Sequence, residues 1–436
     1  MRMRVRRLVC LLLMLMVFLS SGFSASALES LPELYCQAAF VIHPDTGLIL
    51  YAKNPDLQLP CSSLVKIMTA ILALEHFPDL SQTLEVSAAA LENLSGVATA
   101  GLKEGEVLTV EQLLYCLLLP SAADAANTLA EGVSGDIASF VELMNQKAES
   151  LSLKNTHFVN TYGRDDDMQY TTASDMAKLV QYDIVSTQYK RISETNLSGV
   201  RYYFSNNALV ISSVDRREVE DYYYRYADGV MTGTSTEAGY NLAAYSDKGD
   251  MQLITVILGS TRDEQSGTKH HYTDAISLMD WCYDNLQYTV VQTAQTPVCE
   301  VPVSLSAAKD GVALVAQKDL YAVIPTEVSP EELTVEYLVP ETVEAPVSQN
   351  QVIGQAVFSY HDVEYARCDL YAQSDVERSL LLLVLHRIGS FLSGKYAKLT
   401  FAVLFVLALL YFGLTLLLNK RRRTRRPRPR RPKRYR

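Results

Sequence analysis

Ser63 and Lys66, three residues apart, open the stretch LPCSSLVKIMTAILALE from Leu59 to Glu75. On a helix that spacing brings both side chains to one face. A lysine held against a serine and stripped of water loses its proton and becomes a base, which makes the serine a nucleophile. A helix N-terminus favours the negative charge that develops. An ordinary surface lysine fits the same letters, because S-x-x-K recurs by chance in long chains.

Other reactive residue types carry less. His270 and His271 are adjacent, but no C-x-x-C or H-E-x-x-H accompanies them, and no metal site is expected. Asp165, Asp166 and Asp167 read as a solvated loop, and the tyrosines of DYYYRY as partly buried strand residues in preference to a glycan platform. Of seven cysteines, Cys10 lies in an apolar N-terminal run. The other six allow disulfides, with Cys299 and Cys368 a pair within one domain, or equally six buried thiols.

These residues need elements to position them. AAFVIHPDTGLILYAKN, from Ala38, reads as a hairpin with a Pro-Asp-Thr-Gly turn. Leu64, Ile67, Met68, Ile71, Leu72 and Leu74 then repeat at helical spacing, with Pro78 just beyond. LTVEQLLYCLLLPSAADAANTLAEGV predicts a helix with Thr109 and Gln112 in capping-box positions, a break at Pro120 and a second helix. GYNLAAYS and QLITVILGS read as buried strands before a helix near Asp274 to Asn285. An α/β or α+β body is expected over residues 28–288. Short Val-, Thr- and Tyr-rich runs over 289–373 predict a small all-β domain, sandwich-like. Ser374 and Glu377 form a capping-box pattern ahead of an apolar helix over 374–395, amphipathic or interfacial, expected to lie against the membrane surface or to pack beside the span.

The ends set the location. MRMRVRR, an apolar run and SASA have the three parts of a secretory signal over residues 1–27, with a retained anchor as the alternative. The uncharged run 399–418 is long enough to cross a bilayer, and the basic tail 419–436 belongs on the cytoplasmic side. The tail suits topology and anionic membrane lipids better than nucleic acid, and no nucleic-acid partner is predicted. Without the four signal arginines and the twelve basic residues from Lys420 onward, 23 basic face 49 acidic residues, a charge near −26. Such an acidic exported body disfavours polyanionic partners.

LPCSSLVKIMTAILALE, LLLPSAADAANTLAE, NTHFVNTYGRDDDMQYTTASDMAKL and DGVMTGTSTEAGYNLAAYS, in that order, resemble the penicillin-recognising D-alanyl-D-alanine carboxypeptidases. These are low-molecular-mass penicillin-binding proteins of the serine peptidase class, with motifs S-x-x-K, S-x-N and K-T-G. The resemblance spans roughly Leu34 to Tyr288, and the β domain and C-terminal anchor match the family's layout. It implies a β-lactamase/transpeptidase-like fold, with Ser63 as acylated nucleophile, Lys66 as its base and Ser121 as a proton relay. Thr232 and Gly233 match the third motif, and the oxyanion hole would use the backbone N–H groups of Ser63 and Thr234. Two positions depart from the pattern: Ala123 stands where S-x-N has Asn, and Met231 where K-T-G has Lys. Neither side chain supplies the family residue's polar group at these substrate-binding positions.

The resemblance thus implies a membrane-anchored serine D-Ala-D-Ala carboxypeptidase. Its substrate would be the peptidoglycan stem peptide, it would need no cofactor, and β-lactams would be candidate ligands. The departures leave two further readings: an impaired homologue that binds peptidoglycan or a cell-wall partner, and a hydrolase redirected to an ester or amide lacking the free carboxylate.

Overall fold

Alternation of side chains along the strands builds two cores on opposite faces of one sheet. In the computed structural model, which describes residues 31–184, 207–210 and 222–424, β1 (Ala38–Ile42) sends Ala38, Phe40 and Ile42 into one core and Ala39 and Val41 into the other. β7 (Met251–Ser260) does the same with Ile254, Val256 and Leu258 against Leu253 and Ile257. With β2 (Ile49–Lys53), β5 (Ala227–Ser235) and β6 (Gly239–Lys248), they form an antiparallel sheet in the order β2-β1-β7-β6-β5. The expected hairpin is β1–β2, closed by His43 N–H donating to Leu48 O and Gly47 N–H donating to His43 O. The signal-like residues and the end of the basic tail lie outside the described residues.

The first core holds the helices α1 (Val65–His76), α2 (Val110–Leu118), α3 (Ala123–Ser134), α4 (Ile137–Ser150) and α5 (Ala173–Ile184). Every residue of α1 from Val65 to Ile71 is buried, so it is a central helix. The expected capping box closes α2, with Thr109 and Gln112 each bonding the other's backbone N–H. The short strands β3 (Thr83–Glu85) and β4 (Val107–Thr109) pair beside these helices. The second core is covered by α6 (His270–Asn285). Tyr222 and Tyr224 of DYYYRY are buried there, in irregular chain before β5 and not in the strand expected of them.

The described chain divides into two units: one up to Thr289 with the excursion Tyr321–Glu332, the other Val290–Leu320 with everything from Leu333. The second unit carries the expected β domain. β9 (Pro297–Ser304), β10 (Gly311–Val315), β12 (Thr334–Leu338), β13 (Val343–Glu344), β14 (Val352–Tyr360) and β15 (Val363–Ala372) form a sheet in the order β12-β14-β15-β10-β9-β13. β8 (Leu286–Gln292) and β11 (Leu320–Pro325) form a separate pair. β10 separates β9 from β15, and Leu314 faces Cys299 on one side and Ala372 on the other, so Cys299 and Cys368 lie more than two strand spacings apart, beyond disulfide reach. All six described cysteines are free thiols.

The next helix starts later than its capping pattern predicted. Ser374 Oγ accepts from Lys309 Nζ, and α7 (Leu380–Ser393) begins after Ser379, whose carbonyl takes the Leu383 N–H. Exposed Leu380, Leu381, Val384, Leu385 and Ile388 form an apolar stripe along it. α8 (Lys395–Thr424) contains the candidate span, Lys398–Leu418, 21 residues long and apolar enough to cross a bilayer.

One buried amide joins β6 to the strands and loops around it. Asn241 Nδ2 donates to Pro60 O at 2.9 Å, its Oδ1 accepts from Gly259 N–H at 2.8 Å, and its own carbonyl accepts from Thr232 Oγ1 at 3.2 Å. Asn241→Ala leaves Pro60 O and Gly259 N–H unpaired, so stability is expected to fall by about 2–3 kcal/mol, read as a lower urea midpoint.

Candidate active site

Ser63 does not sit on α1. It belongs to a tight turn, Ser62–Leu64, that leads into the helix, and Lys66 occupies the helix's first turn. Lys66 is 2% exposed, and its Nζ lies 3.2 Å from Ser63 Oγ and 2.5 Å from Tyr162 O. Burial pushes its ammonium down from 10.5 to about 7, because no water remains to solvate the charge. A neutral amine has two N–H groups and one lone pair. Tyr162 O takes a hydrogen, and the lone pair can receive the Ser63 proton.

The Tyr162 carbonyl is held in place by a chain of buried hydrogen bonds. Thr69 Oγ1 of α1 donates to Thr161 O at 2.6 Å, and Thr161 Oγ1 donates to Asn127 Oδ1 of α3 at 2.6 Å. Asn127 Nδ2 donates to Ala90 O, which leaves that side chain structural and away from chemistry. Gly163 follows with φ +90, its N–H bonded to Asn160 Oδ1, and a Cβ there would meet Ser62 O at 1.9 Å. Only glycine fits this approach to the nucleophile's turn.

Ser121 lies between α2 and α3 with φ +63, a left-handed conformation that costs a non-glycine residue about 1–2 kcal/mol. It is 3% exposed, it lines the same cleft as Ser63 and Lys66, and its Oγ has no partner among the described residues. Strain combined with an orphaned hydroxyl is the signature of a residue held for function. Two residues on, Ala123 is fully buried at the start of α3, its N–H donating to Ala98 O.

β5 is the edge strand along which the cleft runs. Register pairs Met231 with Ala243 and Gly233 with Asn241, while Thr232 pairs with Leu242 and Thr234 with Tyr240. Thr232, Gly233 and Thr234 all line the cleft, which encloses about 500 Å³, a size suited to a peptide end. Met231, 1% exposed, lies in the first core with Ala123, and neither is among the described residues lining the cleft. A Cβ on Gly233 would stand 2.8 Å from Ser63 N, so glycine is what lets the strand close on the nucleophile.

The cleft also holds residues that spacing did not single out. Asp165 accepts from Ser235 Oγ at 2.7 Å and so ties the acidic loop to the end of β5. Arg164 is committed to the carbonyls of Asn93 and Ser95. Tyr240, Lys269 and His271 complete the wall beyond Thr232. The adjacent histidines part company: His270 stacks on Tyr35, whereas His271 lines the cleft. No cluster of three or more His, Cys, Asp or Glu is placed to hold a metal among the described residues. Gly233→Ala is expected to slow acylation of Ser63 more than about tenfold, because it shifts the nucleophile's backbone. Intact-mass labelling with a serine-directed acylating agent measures this.

With this geometry established, the relatives become informative. The profile of the family described as D-alanyl-D-alanine carboxypeptidase matches residues 25–262, and that of the penicillin-binding protein 5 C-terminal domain matches 292–378. The chain is 27% identical over 391 residues to D-alanyl-D-alanine carboxypeptidase DacF of Bacillus subtilis, covering 86% of this chain and 95% of that one. It is 28% identical over 345 residues to DacA of Escherichia coli, covering 76% and 81%. Among solved structures, penicillin-binding protein 5 from Haemophilus influenzae superposes with a TM-score of 0.67 at 27% identity, over 80% of this chain and 99% of that one. The fold is thus the α/β transpeptidase fold of that protein with its C-terminal β domain, and the chain belongs to the D-alanyl-D-alanine carboxypeptidase family.

Proposed function

We propose that this protein is a membrane-anchored serine hydrolase that cleaves the D-Ala-D-Ala end of peptidoglycan stem peptides through an acyl-enzyme on Ser63. The observation that carries the reading is the desolvated Lys66, 3.2 Å from Ser63 Oγ in an open cleft. Lys66 takes the Ser63 proton as Oγ attacks the acyl carbonyl, and the leaving amine receives a proton through Ser121. The N–H groups of Ser63 and Thr234 are assigned to the oxyanion. Water then hydrolyses the ester. β-Lactams, which acylate the same serine, are the accessible probes.

The span in α8 would anchor the chain, with the stripe of α7 on the membrane surface, the hydrolase unit outside and the basic tail inside. The apolar Met231 and Ala123 favour one other reading, a homologue that binds peptidoglycan or a cell-wall partner with little turnover.

Incubation of the full-length protein with a fluorescent penicillin separates the two. A covalent adduct that disappears in Ser63→Ala is expected, and its absence from folded protein after long exposure would leave the binding role. The acylation rate is expected to rise with pH through an apparent pKa near 7 as Lys66 loses its proton. Lys66 also titrates lower when folded, so the unfolded chain holds more protons between about pH 7 and 10.5 and stability rises with pH across that window. In Lys66→Met both the acylation and this rise in stability are expected to vanish.

A further inference from the structure

Lys66, Arg164 and Lys269 are the lysine and arginine side chains among the described residues lining the cleft. The substrate end released in the proposed reaction is an anion, since the last residue of a peptide carries a free carboxylate. Leaving water for a cleft, that group needs a charged or hydrogen-bonding partner. Lys66 does not fill the need: it is 2% exposed, burial lowers its ammonium to about 7, and it takes the Ser63 proton. Arg164 commits Nη2 to Asn93 O at 2.5 Å and Ser95 O at 2.9 Å, and its neighbour in the chain is Asp165, an anion that repels a carboxylate. Along β5 there is no cation, and Met231 is sunk in the core.

Lys269 stands on the wall that β5 begins. Thr234 pairs with Tyr240 across the sheet, Tyr240 stacks on His271 with 5.2 Å between centroids, and Lys269 lies two residues before His271 at the N-terminus of α6. Its backbone is fixed there, because its N–H donates to the hydroxyl of buried Tyr222 at 2.8 Å. The positive end of the helix dipole adds to the charge of the side chain. That charge is felt in the cleft: desolvation first, then Lys269 and His270, push the His271 imidazole down to about 3. Lys269 is half-buried, so a ligand reaches it while the pairing escapes part of the solvent screening that weakens surface ion pairs.

We infer that Lys269 is the specificity-determining residue of the cleft, its ammonium receiving the C-terminal carboxylate of the departing D-alanine and so selecting peptides that end there. This rests on the hydrolase reading and names what makes the cleft recognise a chain end. A peptide that continues past the second D-alanine, or ends in an ester, brings no anion to Lys269 and loses a charge-assisted hydrogen bond.

The test is calorimetric titration of the full-length Ser63→Ala protein in detergent, which cannot form the acyl-enzyme, with N-acetyl-Lys-D-Ala-D-Ala and its C-terminal methyl ester. The acid is expected to bind about tenfold more tightly or better. Lys269→Gln and Lys269→Met are expected to bring the acid down to the affinity of the ester and leave the ester unchanged. Lys269→Arg is expected to keep the preference, and Arg164→Gln to leave it unmoved. Equal binding of the two peptides, a preference that survives both neutral variants, or one that collapses in Arg164→Gln overturns the inference. So does loss of ester binding in both neutral variants, since Lys269 is then structural. If neither peptide binds while penicillin still acylates Ser63 in the unaltered protein, the inference falls and the hydrolase reading stands. A preference that depends on Lys269 without any acylation keeps the inference as a binding specificity and removes the hydrolase reading.

Discussion

Burial of a lysine ammonium without an opposing charge is the constraint around which the first unit is arranged. Taking such a group out of water is costly, and the chain meets the cost by lowering its proton affinity instead of pairing it with a carboxylate. That solution works only if the amine has hydrogen-bonding partners. Tyr162 O and Ser63 Oγ fill that need, and both are held by structure distant in sequence. The central helix, the polar chain through Thr69, Thr161 and Asn127, and the glycine at 163 can be understood as the support for one neutral amine beside one hydroxyl.

The second constraint is closeness. An edge strand has unpaired backbone on its outer side, and here that side is used as one bank of the cleft. Approach is limited by Cβ atoms, and at Gly233 and Gly163 there is none. The same strand divides its residues between faces. Met231 faces the helical core with Ala243, whereas Thr232 and Thr234 share the face that carries Tyr240 and the α6 residue His271.

Helix starts show how local signals compete. Thr109 and Gln112 cap α2 as their spacing predicts, each side chain bonding the other's backbone N–H. Ser374 shows the same pattern but accepts from Lys309 Nζ, and the helix begins only after Ser379. Equal patterns end differently where a distant residue offers a better partner. Periodicity found the hairpin, the central helix and the strands β6 and β7, since each draws its hydrophobic pattern from one continuous segment. The apolar repeat placed that helix, and burial of Ala70, Ala73 and Thr69 between the repeating positions makes it central.

Read alone, the amino-acid sequence determined the fold class, the family, the Ser63 and Lys66 pairing and the two departures at positions 123 and 231. All of these depend on residue identity and short spacing. Tertiary structure alone decided that Lys66 is desolvated, that Tyr162 O receives its hydrogen, that Ser121 is strained with an orphaned hydroxyl, and that Met231 and Ala123 sink into the core. It also turned one of two adjacent histidines into the cleft, where its ring meets Thr232. Burial, strain and hydrogen-bond partners are properties of neighbours brought together from distant parts of the chain, and no local pattern encodes them.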